Sequence, residues 1–180
     1  MSIRLDAINY EDMETLRQWR NELMQAGYVR QWKYLSEVDQ DAWYEKIHVP
    51  GDEHIMLAII DEKSNKTLGV VGLCYVDWIR KKAEASIYIG DRASRGKGYG
   101  KDALNLLIDY GFGKLGMHRI WAEIFENNET SKALFENVGF IREGTWHDSS
   151  FHDGKWVDSG LYYMLFDQWN KIRTHGLKLV

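Results

Sequence analysis

Ser94-Arg95-Gly96-Lys97-Gly98-Tyr99-Gly100 decides how this chain folds. Residues 84–89 before it read as a strand. After it, Ala103, Leu104, Leu107, Ile108 and Gly111 recur at helical spacing, ending near Leu115-Gly116. Glycines this dense cost stability inside any regular element. Directly before a helix they have a use. A helix start carries unpaired N–H groups and the positive end of the helix dipole, and missing Cβ atoms let an anion come close. The local charge agrees. Residues 91–101 hold Arg92, Arg95, Lys97 and Lys101 against Asp91, a net of +3 in a chain of net −4. A phosphate or pyrophosphate is the expected ligand, and a flexible solvated turn is the alternative.

The surrounding pattern reads outward from this point. Residues 119–125 form another strand, so 84–89, the helix and 119–125 make a βαβ crossover with parallel neighbouring strands. Upstream, 54–61, 67–78 and 84–89 are strands joined by short turns, an antiparallel meander. Residues 3–8 are a first strand, followed by two helices. Asn9 with Asp12 opens the first, which ends at Gly27. Ser36 with Asp39 opens the second, which runs to about His48 and the Pro50-Gly51 breaker. Downstream, Asn128 caps a short helix that Gly139 ends. Residues 140–146 and 156–166 are strands around a polar loop with an Asp153-Gly154 turn. The order βααβββαβαββ is α+β, a mostly antiparallel mixed sheet with one parallel pair and flanking helices.

The 180 residues suit one domain spanning 1–180, and a 44% hydrophobic share supplies an ordinary core. The acidic balance disfavours nucleic-acid binding. No apolar run spans a membrane, and no signal-peptide pattern opens the chain. The lone cysteine, Cys74, excludes an internal disulfide and fits a reducing compartment, so a cytoplasmic protein is expected. Its apolar neighbours make it a packing residue rather than a nucleophile.

Known phosphate motifs narrow the choice. A Walker A loop would need glycine at Arg95 and Ser or Thr at Asp102. A dinucleotide fingerprint needs a different glycine spacing, close behind the strand of a doubly wound sheet. Arg95-Gly96-Lys97-Gly98-Tyr99-Gly100 instead resembles the [QR]-x-x-G-x-[GA] signature of the GNAT acetyltransferase superfamily. Asn128-x-x-Ser131-x-x-Leu134-Phe135-x-x-x-Gly139-Phe140 resembles its second block, at matching separation. Leu5, Arg17-Gln18-Trp19-Arg20-Asn21, Glu143-Gly144 and Asp153-Gly154-Lys155 resemble the branch of ribosomal-protein N-terminal, spermidine and nucleotide-amino-sugar acetyltransferases.

The resemblance implies acetyl-CoA as cosubstrate and an amine as acceptor. Residues 95–101 (Arg95, Gly96, Lys97, Gly98, Tyr99, Gly100, Lys101) would hold the pyrophosphate. Ile87, Tyr88 and Ile89, at the edge of a splayed strand pair, would meet the pantetheine arm and polarise the thioester carbonyl. Asn128, Ser131 and Phe135 would complete that wall. Glu123 is the implied base and Glu84 its rival, or the residue that binds the amine. Glu123 is otherwise a solvent-facing strand residue. Phe135 departs from the family, where tyrosine commonly protonates the leaving thiolate. Ser131 or another tyrosine would substitute, or the thiolate leaves unprotonated.

Acceptor recognition is expected around Trp19, Trp32, Tyr34 and Trp43, with Asp148, Asp153 and Asp158 as a further acidic attraction. His147 and His152 lack metal-ligand spacing, so no metal is expected. A homodimer is one expected assembly. A non-catalytic acyl-CoA-binding module on the same fold is the alternative function.

Overall fold

The computed structural model describes residues 2–49, 51 and 53–175. Pro50, half of the expected breaker pair, lies outside the described residues. In chain order the elements are β1 (Ile3–Ala7), α1 (Met13–Gln25), α2 (Glu37–Ile47), β2 (Ile55–Asp61), β3 (Lys66–Asp77), β4 (Lys82–Ile89), α3 (Tyr99–Gly113), β5 (Arg119–Phe125), α4 (Glu129–Val138), β6 (Ile141–His152), β7 (Lys155–Leu165) and α5 (Phe166–His175). Short 3-10 turns occupy Tyr10–Asp12 and Arg92–Ser94.

One seven-stranded sheet has the order β1-β2-β3-β4-β5-β7-β6. Every neighbouring pair is antiparallel except β4 and β5. Strand alternation sends successive side chains to opposite faces. On one face, Ala58, Ile60 and Val70 pack with Met13 and Leu16 of α1, flanked by Trp43 and Tyr44 of α2. On the other, Ala83, Ala85, Ile120, Ala122 and Ile124 meet Leu104, Leu107 and Phe112 of α3 and Phe135 and Val138 of α4.

Local chemistry fixes the helix ends. Ser36 Oγ accepts from the Asp39 N–H at 3.2 Å, and the Asp39 carboxylate accepts from the Ser36 N–H at 3.0 Å, a reciprocal cap for α2. Asn128 Oδ1 accepts from the Ser131 N–H at 3.1 Å and starts α4.

Two regions differ from the sequence expectation. The polar loop between the last two strands is itself strand. β6 and β7 run to a two-residue turn, where Asp153 and Gly154 have φ of 48° and 79°, as a type I′ hairpin requires. A register shift between Trp146 and Ser150 absorbs the polar residues, with the Asp158 carboxylate accepting from the Asp148 N–H at 2.9 Å. The second difference is α5, which follows β7 directly. Gln168 Oε1 accepts from the Leu165 N–H at 2.7 Å at its start. Trp169 packs against Phe112 at 5.5 Å between ring centroids, and its indole N–H donates to Asp109 at 2.6 Å.

Candidate active site

The glycine stretch leads from the end of β4 into α3. Gly96 and Gly98 have φ of 72° and 87°, left-handed values that disfavour any residue with a Cβ. Nothing lies within 4 Å of where a Cβ would stand at either position. These glycines therefore serve backbone conformation, and the space in front of them is open. The carbonyl of Gly98 accepts from the N–H groups of Lys101 and Asp102, which starts α3. Among the described residues, the N–H groups of residues 96–100 donate no hydrogen bond. Open space, free N–H groups and the positive end of a 15-residue helix can receive an anion.

The four cations of this segment divide. Arg95 donates from Nε to the Ile89 carbonyl at 2.9 Å and from Nη2 to the Gly90 carbonyl at 3.1 Å, pinning the loop to the end of β4. Arg92 pairs with Glu22 of α1 at 3.1 Å. Lys97 and Lys101 make no ion pair among the described residues, so they are the cations left for a ligand.

β4 and β5 are in register only at Lys82↔Arg119, Ala83↔Ile120 and Glu84↔Trp121. Beyond Glu84 they part. Ile87, Tyr88 and Ile89 continue paired with β3, while residues 122–125 continue paired with β7. The inner edges of this wedge present backbone N–H and C=O groups to one another without a ladder. Asn128 and Ser131 stand just past the end of β5, at the start of α4.

Glu84 and Glu123 lie where the strands separate. Ala83, Ala85, Ala122 and Ile124 face α3, so by alternation both carboxylates project to the α1–α2 face. Their side chains are only 3% and 6% exposed. One residue bonds both: Arg30 donates from Nη2 to Glu84 Oε1 at 2.5 Å and from Nη1 to Glu123 Oε2 at 3.0 Å. Burial pushes the Glu84 carboxyl above its ordinary range, opposed by the bond and charge of Arg30. Burial also works against the Arg30 charge, yet the Glu84 bond and both carboxylates hold its pKa above the usual value. The second Glu84 oxygen, Oε2, is buried with no hydrogen-bond partner among the described residues.

Arg30 sits in the segment between α1 and α2, and α1 holds that segment in place. Asn21 accepts from the Leu35 N–H at 2.8 Å and donates to its carbonyl at 3.1 Å, joined there by Arg17 at 3.1 Å. Arg20 reaches Gln31 at 3.3 Å. Polar residues of the stretch Arg17–Asn21 thus anchor the loop that delivers Arg30. The sequence reading did not single out Arg30: nothing in its local pattern marks it, and its partners lie 54 and 93 residues away.

The remaining candidates separate clearly. Phe135 is 2% exposed and meets Phe140 edge-on at 4.9 Å. The Tyr162 hydroxyl is buried and without a partner among the described residues, and burial raises its pKa. Cys74, next to Glu84 across β3 and β4, has its thiol pushed up to about 11 by burial. Asp158 spends its carboxylate inside the hairpin, on the Asp148 N–H and on His147 at 2.9 Å. Trp32 and Tyr34 are exposed. Among the described residues, no group of three or more His, Cys, Asp or Glu could hold a metal ion.

Residues 2–141 match the family model for the acetyltransferase (GNAT) domain. The chain belongs to the GNAT acetyltransferase family. This GNAT chain is accordingly an N-acetyltransferase, with acetyl-CoA as its acyl donor. It is 26% identical over 163 residues to the spermidine N(1)-acetyltransferase of Vibrio cholerae serotype O1, covering 91% of this chain and 92% of that one. The spermidine N(1)-acetyltransferase of Escherichia coli (strain K12) is 26% identical over 156 residues, 86% of this chain and 81% of that one. The crystal structure of the Vibrio cholerae spermidine N-acetyltransferase with CoA and spermine superposes with a TM-score of 0.86 at 24% identity, covering 93% and 98% of the two chains. That likeness carries the GNAT fold. No helix among the described residues is long and apolar enough to cross a membrane.

Proposed function

We propose that this GNAT enzyme acetylates a cationic primary amine of the polyamine class by direct attack within a ternary complex. The observation that carries the proposal is the buried Glu84–Glu123 pair, set where β4 and β5 part. Two carboxylates with one guanidinium attract a further cation. The similarity to two spermidine acetyltransferases supports the same acceptor class. A protein N-terminus and an amino-sugar nucleotide are the competing acceptors.

The open N-terminus of α3, with Lys97 and Lys101 beside it, receives the pyrophosphate of acetyl-CoA. Gly96, Gly98 and Gly100 leave the backbone accessible there, and Tyr99 begins the helix. The amide-bearing arm lies in the wedge between Ile87–Ile89 and residues 122–125, beside Asn128, Ser131 and Phe135. Glu84 binds the incoming ammonium. Glu123 removes its proton, directly or through one water. The freed amine attacks the thioester carbonyl carbon, its nitrogen gives up a second proton to solvent, the C–S bond breaks, and CoA leaves as a thiolate. A thiol pKa near ~8.5 allows that departure without a protein acid, consistent with Phe135 at the position where relatives use tyrosine.

The test is release of CoA thiol with a panel of spermidine, a short peptide with a free N-terminus and an amino-sugar nucleotide. Spermidine should give the highest kcat/KM. Glu123→Gln should lower kcat by roughly 10²–10⁴ at neutral pH, with the loss shrinking at high pH as the amine deprotonates unaided. An undiminished rate would pass the base role to Glu84. Phe135 favours a second reading, a non-catalytic acyl-CoA-binding module. Acetyl-CoA binding with no amine-dependent thiol release for any of the three acceptors would select it.

A further inference from the structure

Burying two carboxylates within reach of each other is unfavourable unless a cation accompanies them. Here the cation is the chain's own, and it comes from a loop rather than from the sheet. The Arg30 side chain is 44% exposed, whereas its two partners are nearly sealed. The loop around it is held at Gln31 and Leu35 by α1, while among the described residues Arg30 has only the two carboxylates as hydrogen-bond partners. A long, half-exposed side chain on an anchored loop can swing away without the loop moving.

We propose that Arg30 is an internal stand-in for the acceptor: its guanidinium fills the cation position between Glu84 and Glu123 in the free enzyme and swings out when the acceptor ammonium enters. This rests on the acceptor reading above and adds a specificity-determining residue to it. Geometry supports it twice. Arg30 bonds both carboxylates that the reaction needs, so an ammonium and Arg30 compete for the same oxygens. The Glu84 Oε2 atom is left without a partner while Arg30 is in place, so an incoming N–H donor gains a bond that Arg30 does not make.

The consequences are chemical. While Arg30 is docked, its bond and charge oppose the effect of burial on the Glu84 carboxyl, and the site is ready for a cation. An acceptor must out-compete a tethered guanidinium, which selects charged amines over neutral ones. Among the described residues, the ionisable groups on this face around the pair are Cys74 and Tyr75 of β3, Tyr88 of β4, Tyr163 of β7, Arg30 of the inter-helix loop and Arg20 of α1, which lies 5.9 Å from the Tyr88 ring. Arg30 is the one that bonds the carboxylates.

Two measurements test this, and neither requires turnover. The first follows the carboxyl carbon of Glu84 by 13C NMR against pH, in the full-length protein and in Arg30→Ala. Without the guanidinium, which opposes the effect of burial, its titration should move upward by about 1–3 pH units. Methylguanidinium, which refills the vacated position, should move it back. An unchanged titration in Arg30→Ala would overturn the proposal. If Arg30→Ala does not fold, Arg30→Lys replaces it. Lysine keeps the charge but not the two-pronged donor that spans both carboxylates, so the Glu84 titration should still move upward from its wild-type position; an unchanged Glu84 titration would count against Arg30's double role.

The second measurement follows the side-chain 15N signals of Arg30 in the wild type as n-butylammonium or spermidine is added. Release from the carboxylates should shift them to solvent-exposed values, saturating with amine binding. Amine binding that leaves the Arg30 signals in place would overturn the displacement. A wild type that is silent in the thiol-release assay yet passes both measurements would sink the acetyltransfer reading and leave the Arg30 stand-in intact.

Discussion

Replacing Gly98 by Asp and by Asn isolates the anion site at the α3 N-terminus. Gly98 has φ of 87°, and nothing lies within 4 Å of its Cβ direction. A new side chain therefore meets no steric clash, only the left-handed strain of about 1–2 kcal/mol, which Asn and Asp tolerate best. An Asp carboxylate at a helix start returns about 0.3–1 kcal/mol. Both variants should fold, with Tm lowered by only a few degrees, since 1 kcal/mol moves Tm by about 2–4 °C at this chain length. Binding should respond differently. A carboxylate about 6 Å from a phosphate repels it by roughly 0.7 kcal/mol at the dielectric of water and about 2.8 kcal/mol at an effective value of 20. Gly98→Asp should thus bind acetyl-CoA about 3- to 100-fold more weakly than Gly98→Asn, which has the same size without the charge. Calorimetric titration at low and high salt measures this, and salt should narrow the gap. Two folded variants with equal affinities would show that no anion sits there.

Two further outcomes follow from burial. Phe135→Tyr adds a hydroxyl to a sealed residue packed against Phe140; kcat should change by less than about tenfold, under 1.4 kcal/mol of barrier. A gain of order 10²-fold in thiol release would mean that the natural protein lacks its acid and is a weak catalyst. The Cys74 thiol, raised to about 11 by burial, should be roughly one part in 10⁴ thiolate at pH 7 and resist alkylation. Iodoacetamide labelling should become fast only in denaturant, and rapid labelling of the folded protein would contradict the burial argument.

Punctuation made much of the fold legible. Ser36 with Asp39, Asn128 with Ser131, and the glycines before Tyr99 mark helix starts through backbone chemistry that acts within a few residues. The meander was readable because its turns are short. α5 escaped notice because its apolar residues, Phe166, Trp169 and Ile172, continue straight from the hydrophobic β7 with no breaker between them. The lengthened hairpin was hidden for the opposite reason: Asp148, Ser149 and Ser150 look like a loop, and only cross-strand bonds to Asp158 and Ser159 make them strand. Glu84 and Glu123 could be named from the sequence, but their burial could not. Strand alternation by itself allows a solvent-facing Glu123, and the loop bearing Arg30 closes that option from outside the local pattern.

The three-pair register between β4 and β5 divides the sheet mechanically. β1–β4 form one leaf and β5–β7 another, and the ladder between them is confined to Lys82, Ala83 and Glu84, with the Lys81 carbonyl accepting from the His118 and Arg119 N–H groups at its foot. Each leaf has longer ladders within itself, so bending concentrates at the seam, with α3 spanning it like a strap from the end of β4 to the start of β5. An extended, amide-bearing molecule lodged in the wedge would act as a strut, linking the leaves beyond the point where their backbones part. The donor's arm would then be a structural member as well as a reactant. The spacing of the two leaves, and with it the distance between Glu84 and Glu123, would be set fully only once that strut is in place.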